Sequence, residues 1–390
     1  MTGRGYKDAC RRRGLPYTSL YTLPVDLLTS YDQDYALGDT SWFHVADVSS
    51  ARAALRGPVL AVVPTTEPSI VLADGLGTAL GLPSNPVSTA LARRDKTVMR
   101  RHAVTRGVRV PAFAVVSRVD IPAAADALGY PAIAKPAKGA GAHGVTVLRG
   151  AGEVPDLVTD DLFGHPMREW IVEEYVRGRE LAVNAFTEHG RHRVLDIWEY
   201  RQPNGDDYDQ PYWDVVQLPE DDPDRERAVE FVHAVLDAYD VRLGPSHTEI
   251  KVDDRGPCLI ELGTRLPGAH IVDQWTAHSS IRPYDDTLSV YLGASTGLLT
   301  RDLGFDAALG ICCLRNDDRP GELVSTTWLE DVRSVDGVDA VFTDLRPGDH
   351  VPVTADLGSV VAFALVSAPD HNLLDRVLVE VRSAAALELK

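Results

Sequence analysis

Apolar and polar residues recur along this chain in two rhythms, one of about 3.6 residues and one of two. Near the start, "YKDACRRRGL" has helical spacing and "PYTSLYTLP" reads as a strand. "PVLAVVPTT" is a continuous apolar run of the kind that fills a buried parallel strand. "EPSIVLADGLGTALGLP" reads as a helix closed by glycine and proline. This alternation predicts a parallel α/β unit. A doubly wound unit ordinarily opens with a buried strand before its first helix, and here Met1 lies almost at the helix. Either the sheet lacks that strand or more chain precedes it.

From Pro86 to Gly107, "PVSTALARRDKTVMRRHAVTRG" predicts an arginine-rich helical stretch. It leads to a strand in "VRVPAFAVV" and a short helix in "DIPAAADALGYP" that stops at Gly129. "AIAKPAKGAGAHGVTV" predicts two strands around a glycine loop. Further strands follow in "PMREWIVEEYV" and "RELAVNAFTEHGRHRVLDIWEY", then a polar loop, "RQPNGDDYDQPYWD", and an amphipathic helix in "DRERAVEFVHAVLDAYDV". From about Gly304 onward, strands alternate with turn signals.

At 390 residues the chain is too long for one ordinary core. The expected division is an N-terminal α/β region over 1–95, linker helices and a small flap domain over 96–185, and a C-terminal domain over 186–390. A formal net charge of −18 argues against nucleic acid or an anionic membrane as partner. An anionic ligand would therefore need a local cluster of cations. Lysine stands at only six positions (7, 96, 135, 138, 251 and 390), and the other 33 of the 39 basic residues are arginine. A lysine beside a glycine loop is thus informative. Cys10, Cys258, Cys312 and Cys313 form no CxxC pair, no apolar leader is visible and no apolar run is long enough to span a bilayer. A cytoplasmic chain with reduced thiols is expected.

Gly139, Gly141 and Gly144 spell GxGxxG, the dinucleotide fingerprint. That fingerprint needs a helix after the glycines, and "VTVL" predicts a strand. The loop is therefore the tip of a hairpin. Its N–H groups could close over phosphates with Lys135 on the incoming strand, or it could be a surface hairpin without a ligand.

"SHTEIKVDDRGPCLIELGTRLPG" predicts a second hairpin. A three-residue turn at Asp254–Gly256 would set Asp253 opposite Pro257 and Glu249 opposite Glu261. His247, Glu249 and Lys251 would then share a face with Glu261, Gly263 and Arg265, leaving Thr248, Ile250, Val252, Cys258, Ile260 and Leu262 toward the core. Facing glutamates repel unless neutralised. A hard divalent cation would do so, as would ion pairs with Lys251 and Arg265.

Taken together, "RRDKTVMR", "YPAIAKPAKGAGAHGV", "IVEEYVRGRELAV" and "HTEIKVDDRGPCLIELGTRLPG", in this order over roughly residues 60–300, resemble the ATP-grasp superfamily. The "HTE…IELGTRLPG" wording and the C-terminal remainder resemble its amino-acid ligases. The resemblance implies an ATP-grasp fold: an N-terminal parallel α/β domain, a small flap domain and a C-terminal mixed-sheet domain. It implies ATP and Mg2+ (or Mn2+) as cofactors. Lys96 and Lys135 match the lysines on the ATP phosphates, and Gly139, Gly141 and Gly144 the flap. Glu173, Tyr175 and Val176 match the segment that reads adenine, and Glu180 the acid on the ribose. Glu249 and Glu261 match the metal ligands, and Arg265 the arginine that steadies the acyl phosphate. Gly263 departs from the pattern, since many relatives carry a metal-binding asparagine there.

The activity so implied is ATP-dependent joining of a carboxylate to an amine through an acyl phosphate, with amino acids as the small-molecule substrates and a homodimer as the default assembly. Glu67, Tyr208, Tyr212, His247 and His270 are the candidate substrate contacts. Two other readings share the motifs: carboxylation through carboxyphosphate, and a regulatory protein that binds ATP without turnover.

Overall fold

The computed structural model describes residues 3–31, 33–138, 141–151, 169–203 and 212–390. Gly139 and Tyr208, both named above, lie outside the described residues.

The N-terminal region is α/β, with one correction. Helix Arg4–Arg12 leads to strands Ser19–Tyr21 and Trp42–His44, which pair in parallel. The run 58–66, expected as a buried parallel strand, stays extended and joins no sheet. Leu60 within it is 69% exposed. A ladder partner must lie about 4.8 Å away. Instead a cavity of about 600 Å³, lined by Leu20, Tyr21, Val59, Ala61, Val62 and Leu288, stands between this run and Ser19–Tyr21.

The arginine-rich stretch is also broken more finely than its pattern predicts. It forms helix Val87–Ala90, a 3-10 turn Leu91–Arg93 and helix Lys96–Thr105. The break is made by Asp95, whose carboxylate accepts from Thr97 N at 3.0 Å and Val98 N at 3.1 Å, capping the last helix. Lys96 therefore opens a helix and sits buried, rather than on an outer helical surface. A buried ion pair between Arg93 and Asp74, at 2.8 Å, ties this segment to helix Ile70–Leu80.

A small antiparallel sheet has the order Phe113–Val116, Trp170–Glu174, Ala132–Pro136, Thr146–Leu148. Helix Ile121–Leu128 packs Ile121, Ala124 and Ala125 on Ala132, Ala134, Trp170 and Val172. The glycine loop joins the last two strands, so the hairpin reading of GxGxxG holds.

The large sheet runs Gly256–Gly263, Gly244–Asp253, Arg179–Glu188, Arg191–Arg201, Asp214–Gln217, Ala308–Leu314, Ala362–Ala368, Val338–Phe342. Where a mixed sheet was expected, each of these pairings is antiparallel; tight hairpins at 188–191 and 253–256 make two of them, and longer connections the rest. Alternation along Arg179–Glu188 sends Leu181, Val183 and Ala185 to one core with helix Arg225–Ala238, and Ala182 and Phe186 to another with Trp275 and Tyr291. The C-terminal helix His371–Ala384 buries Leu374, Val377, Leu378 and Val381, spaced along one helical face, on the last strands. Each such side chain contributes about 1.5–3 kcal/mol. No helix among the described residues is long and apolar enough to cross a membrane.

Between the two sheets the chain passes through Gly178, at φ 134°. A Cβ there would lie 2.2 Å from Val252 O and 2.9 Å from Val252 C, both rigid backbone. Gly178→Ala should therefore destabilise the protein by at least about 1–3 kcal/mol, read as a lowered urea midpoint; an unchanged midpoint would show that this crossing is not tight.

Candidate active site

The second hairpin sets the floor of a cavity between the sheets. Glu249 pairs directly with Glu261, as the sequence predicts, but by a different route. The turn is one residue shorter than expected, so Asp253 faces Gly256 and Val252 faces Pro257. A bulge between Glu249 and Ile250 then absorbs the extra residue, Ile260. This corrects the core face too: Leu259 is in the core and Ile260 lines the cavity. His247 lies opposite Gly263.

Around this floor every buried charge has a partner. Lys96 Nζ donates to Glu261 Oε1 at 2.8 Å. Burial pushes the Glu261 carboxyl up, but Lys96, Lys135 and Arg265 outweigh it and hold it below its ordinary value. Lys135 lies 2.6 Å from Glu173 Oε2, and Arg100 Nε donates to Glu173 Oε1 at 2.5 Å. Burial lowers Lys135, with Glu173 opposing. Glu173 itself is raised by burial and lowered further by Arg100 and Lys135. Arg265 donates to Glu67 Oε2 at 3.1 Å, and Arg94 to Glu67 Oε1 at 3.1 Å. Lys251 stands 3.5 Å from Glu180, whose carboxyl is raised by burial and by Glu249.

Behind Glu249 is a fixed polar chain. The indoles of Trp198 and Trp275 donate to Asp196 Oδ2 at 2.5 Å each, and Asn184 Nδ2 donates to Asp196 Oδ1 at 2.8 Å. Asn184 Oδ1 is thereby left to accept from His247 Nδ1 at 2.8 Å. The other ring nitrogen of His247 then faces Glu249 Oε1 and the Tyr200 hydroxyl, each at 3.4 Å.

Lys96, Lys135, Gly141, Glu173, Val176, Glu180, Glu249, Glu261, Arg265, Glu67, Tyr212 and His247 all line one cavity. Three expected residues, Gly144, Tyr175 and His270, are not among those that line it. His270 is turned away by a left-handed backbone (φ 64°), bonds Asp273 at 2.8 Å and stacks on Phe342 with ring centroids 4.1 Å apart. Tyr175 packs its ring under Lys251, 5.0 Å from the ammonium. The carboxylate of Glu173, expected at the adenine, is instead held between Arg100 and Lys135.

Sequence reading missed Arg100 and Tyr200. Arg100 follows Lys96 by four residues, so the same helix face carries both, a spacing that could have revealed it. Tyr200 sits at a strand end and carries no such signal.

The facing glutamates are hard oxygen donors. They suit Mg2+, which commonly takes one or two carboxylates and completes its shell with phosphate oxygens and water. Among the described residues no three His, Cys, Asp or Glu side chains converge on a metal position. Phosphate oxygens and water would complete any such shell.

An antiparallel sheet with a glycine hairpin above it, and lysines and paired glutamates between, is the architecture of an ATP-grasp enzyme. Residues 128–273 match the ATP-grasp domain, and residues 317–390 match the L-amino acid ligase C-terminal domain 2. The chain is similar to dapdiamide A synthase of Enterobacter agglomerans, 23% identical over 340 residues (84% of this chain, 80% of that protein). It is similar to the L-arginine-specific L-amino acid ligase of Bacillus subtilis, 24% identical over 340 residues (85% and 81%). Among solved structures, L-amino acid ligase from Bacillus licheniformis superposes with a TM-score of 0.80 at 20% identity, covering 99% of this chain and 95% of that one. The chain thus carries an ATP-grasp domain and an L-amino acid ligase C-terminal domain, and its relatives support an ADP-forming ligase that makes C–N bonds.

Removing the Glu173 charge leaves two buried cations, Arg100 and Lys135, without their carboxylate. Glu173→Gln should cost about 3–5 kcal/mol of stability, measurable by chemical denaturation. A loss below about 1 kcal/mol would mean that the three groups are solvated rather than buried together.

Proposed function

We propose that this enzyme joins two amino acids, or an amino acid and another small amine, through an acyl phosphate. The observation that carries the reading is the register pair Glu249–Glu261 on one cavity wall with Lys96, Lys135 and Arg265. That wall suits a triphosphate meeting a carboxylate. The names of the relatives, an L-amino acid ligase and a dapdiamide synthase, support amino-acid substrates.

ATP would enter beneath the glycine hairpin. Glu180 faces the ribose and Val176 the adenine, the carboxylate of Glu173 being held by Arg100 and Lys135. Lys96 and Lys135 would leave their carboxylate partners in part and turn to the phosphates. Glu249 and Glu261 would hold Mg2+ or Mn2+, and Gly263, with no side chain, leaves the remaining positions to phosphate oxygens and water. Bound there, the cation supplies charge neutralisation on the transferring phosphoryl group.

The substrate carboxylate attacks the γ-phosphorus, the bond to the bridging oxygen breaks and ADP leaves. The amine then attacks the acyl carbon, phosphate leaves, and the amine proton passes to solvent. Arg265 would stand against the oxyanion of this second step, a preorganised donor fixed by Glu67. Glu67 and His247 would contact the amino-acid substrates. A closed hairpin would keep water from the acyl phosphate.

Phosphate release from ATP and Mg2+ with pairs of common amino acids, followed by mass spectrometry of products, tests the reading. Pair-dependent release with a condensed product is expected, and its absence with every pair would overturn amino-acid joining. Glu261→Gln should lose turnover and metal dependence. Arg265→Ala should still bind ATP, by calorimetry, yet lose product by about 10²–10³-fold; product at the parent rate would remove Arg265 from the second step.

A further inference from the structure

The glycine loop is held from an unexpected side. Its Gly141 carbonyl accepts from Leu357 N at 3.0 Å, and His143 Nδ1 lies 3.0 Å from Asp356 Oδ2. Leu357 also packs against Gly141, where a Cβ would come within 3.0 Å of the Leu357 Cβ. Gly141 and His143 line the cavity, whereas Asp356 and Leu357 belong to the C-terminal 317–390 segment. The two sides are more than 200 residues apart in sequence.

The C-terminal side is built to be rigid. The other carboxylate oxygen of Asp356 accepts from Ser359 N at 3.0 Å and from Ser359 Oγ at 2.7 Å, forming a capping box on the turn Leu357–Ser359. Thr354 ties the same loop to the end of a large-sheet strand, donating from N to Asn316 O at 2.8 Å and accepting from Asn316 N at 3.0 Å. With one oxygen of Asp356 so engaged, the other is aimed at His143.

We propose that Asp356 and Leu357 are positioning residues that latch the glycine loop over the bound nucleotide, so that the C-terminal segment takes part in the reaction cycle without touching a reacting atom. This rests on the reading that the loop covers ATP. Closure excludes water from an activated acyl group, and the latch supplies a fixed point for it.

Ser359→Ala removes the capping box but not the latch. His143→Ala removes the latch but not the capping box, and Asp356→Ala removes both. His143→Ala and Asp356→Ala should each raise the ATP KM by about tenfold and increase phosphate release in the absence of the amine. The double variant should be no worse than either single one, and Ser359→Ala, which only loosens the aim of Asp356, should change both quantities less than either single variant. Additive effects in the double variant, or no change in the singles, would overturn the latch.

Hydrogen exchange of residues 141–148 without nucleotide reads the latch independently. The parent chain should be more protected there than Asp356→Ala, and equal exchange would overturn the proposal. If that difference is present while the parent chain binds no ATP by calorimetry, the nucleotide reading has failed and the contact is not a latch over ATP.

Discussion

The constraint on which the rest depends is the pairing of charges inside the cavity between the two sheets. Lys96, Lys135, Arg100 and Arg265 cannot wait there as bare cations, because desolvation disfavours each of them. Each is matched in advance by a carboxylate: Glu261 for Lys96, Glu173 for Lys135 and Arg100, and Glu67 for Arg265. The partners come from different elements, including a 3-10 turn near residue 67, the small sheet and the hairpin of the large sheet. The ion pairs therefore fasten the N-terminal region and both sheets around one space. In a chain of net charge −18, three of the six lysines, Lys96, Lys135 and Lys251, line this one cavity.

The same balance divides the site into fixed and exchangeable parts. Glu173 is engaged by two cations and fully enclosed. Glu249 is different. Its nearest polar neighbours, His247 and Tyr200, stand at 3.4 Å, at the limit of a hydrogen bond. Behind them the Trp–Asp–Asn–His chain leaves little freedom for the imidazole. A rigid backing with a loosely held carboxylate in front is what a ligand-exchange position requires.

Much of this was legible in the sequence, for identifiable reasons. The strand after the glycine loop was readable because "VTVL" is β-branched and carries no helix cap. The opposed glutamates came out in phase because a three-residue turn with a regular ladder and the shorter turn with one bulged residue give the same offset between them. Other features left weaker traces. The run 58–66 has the composition of a buried strand, yet a strand needs a neighbour, and composition says nothing about the space beside it. His270 follows the arginine turn closely in sequence, but two successive left-handed residues, Ala269 and His270, swing it out of the cavity. The contact of Asp356 with the glycine loop joins segments too distant for any local pattern to connect them.

The bulge at Ile260 has a consequence for how such a site tolerates change. A three-residue turn with a regular ladder, and a two-residue turn with one bulged residue, bring the same two glutamates face to face. What is fixed is the chain length between Glu249 and Glu261; the place where the surplus residue is stored is free. The turn tip and the ladder can thus trade a residue without disturbing the chemistry. An engineer reshaping this turn can move a residue between the tip and the bulge, provided that the two glutamates stay opposed.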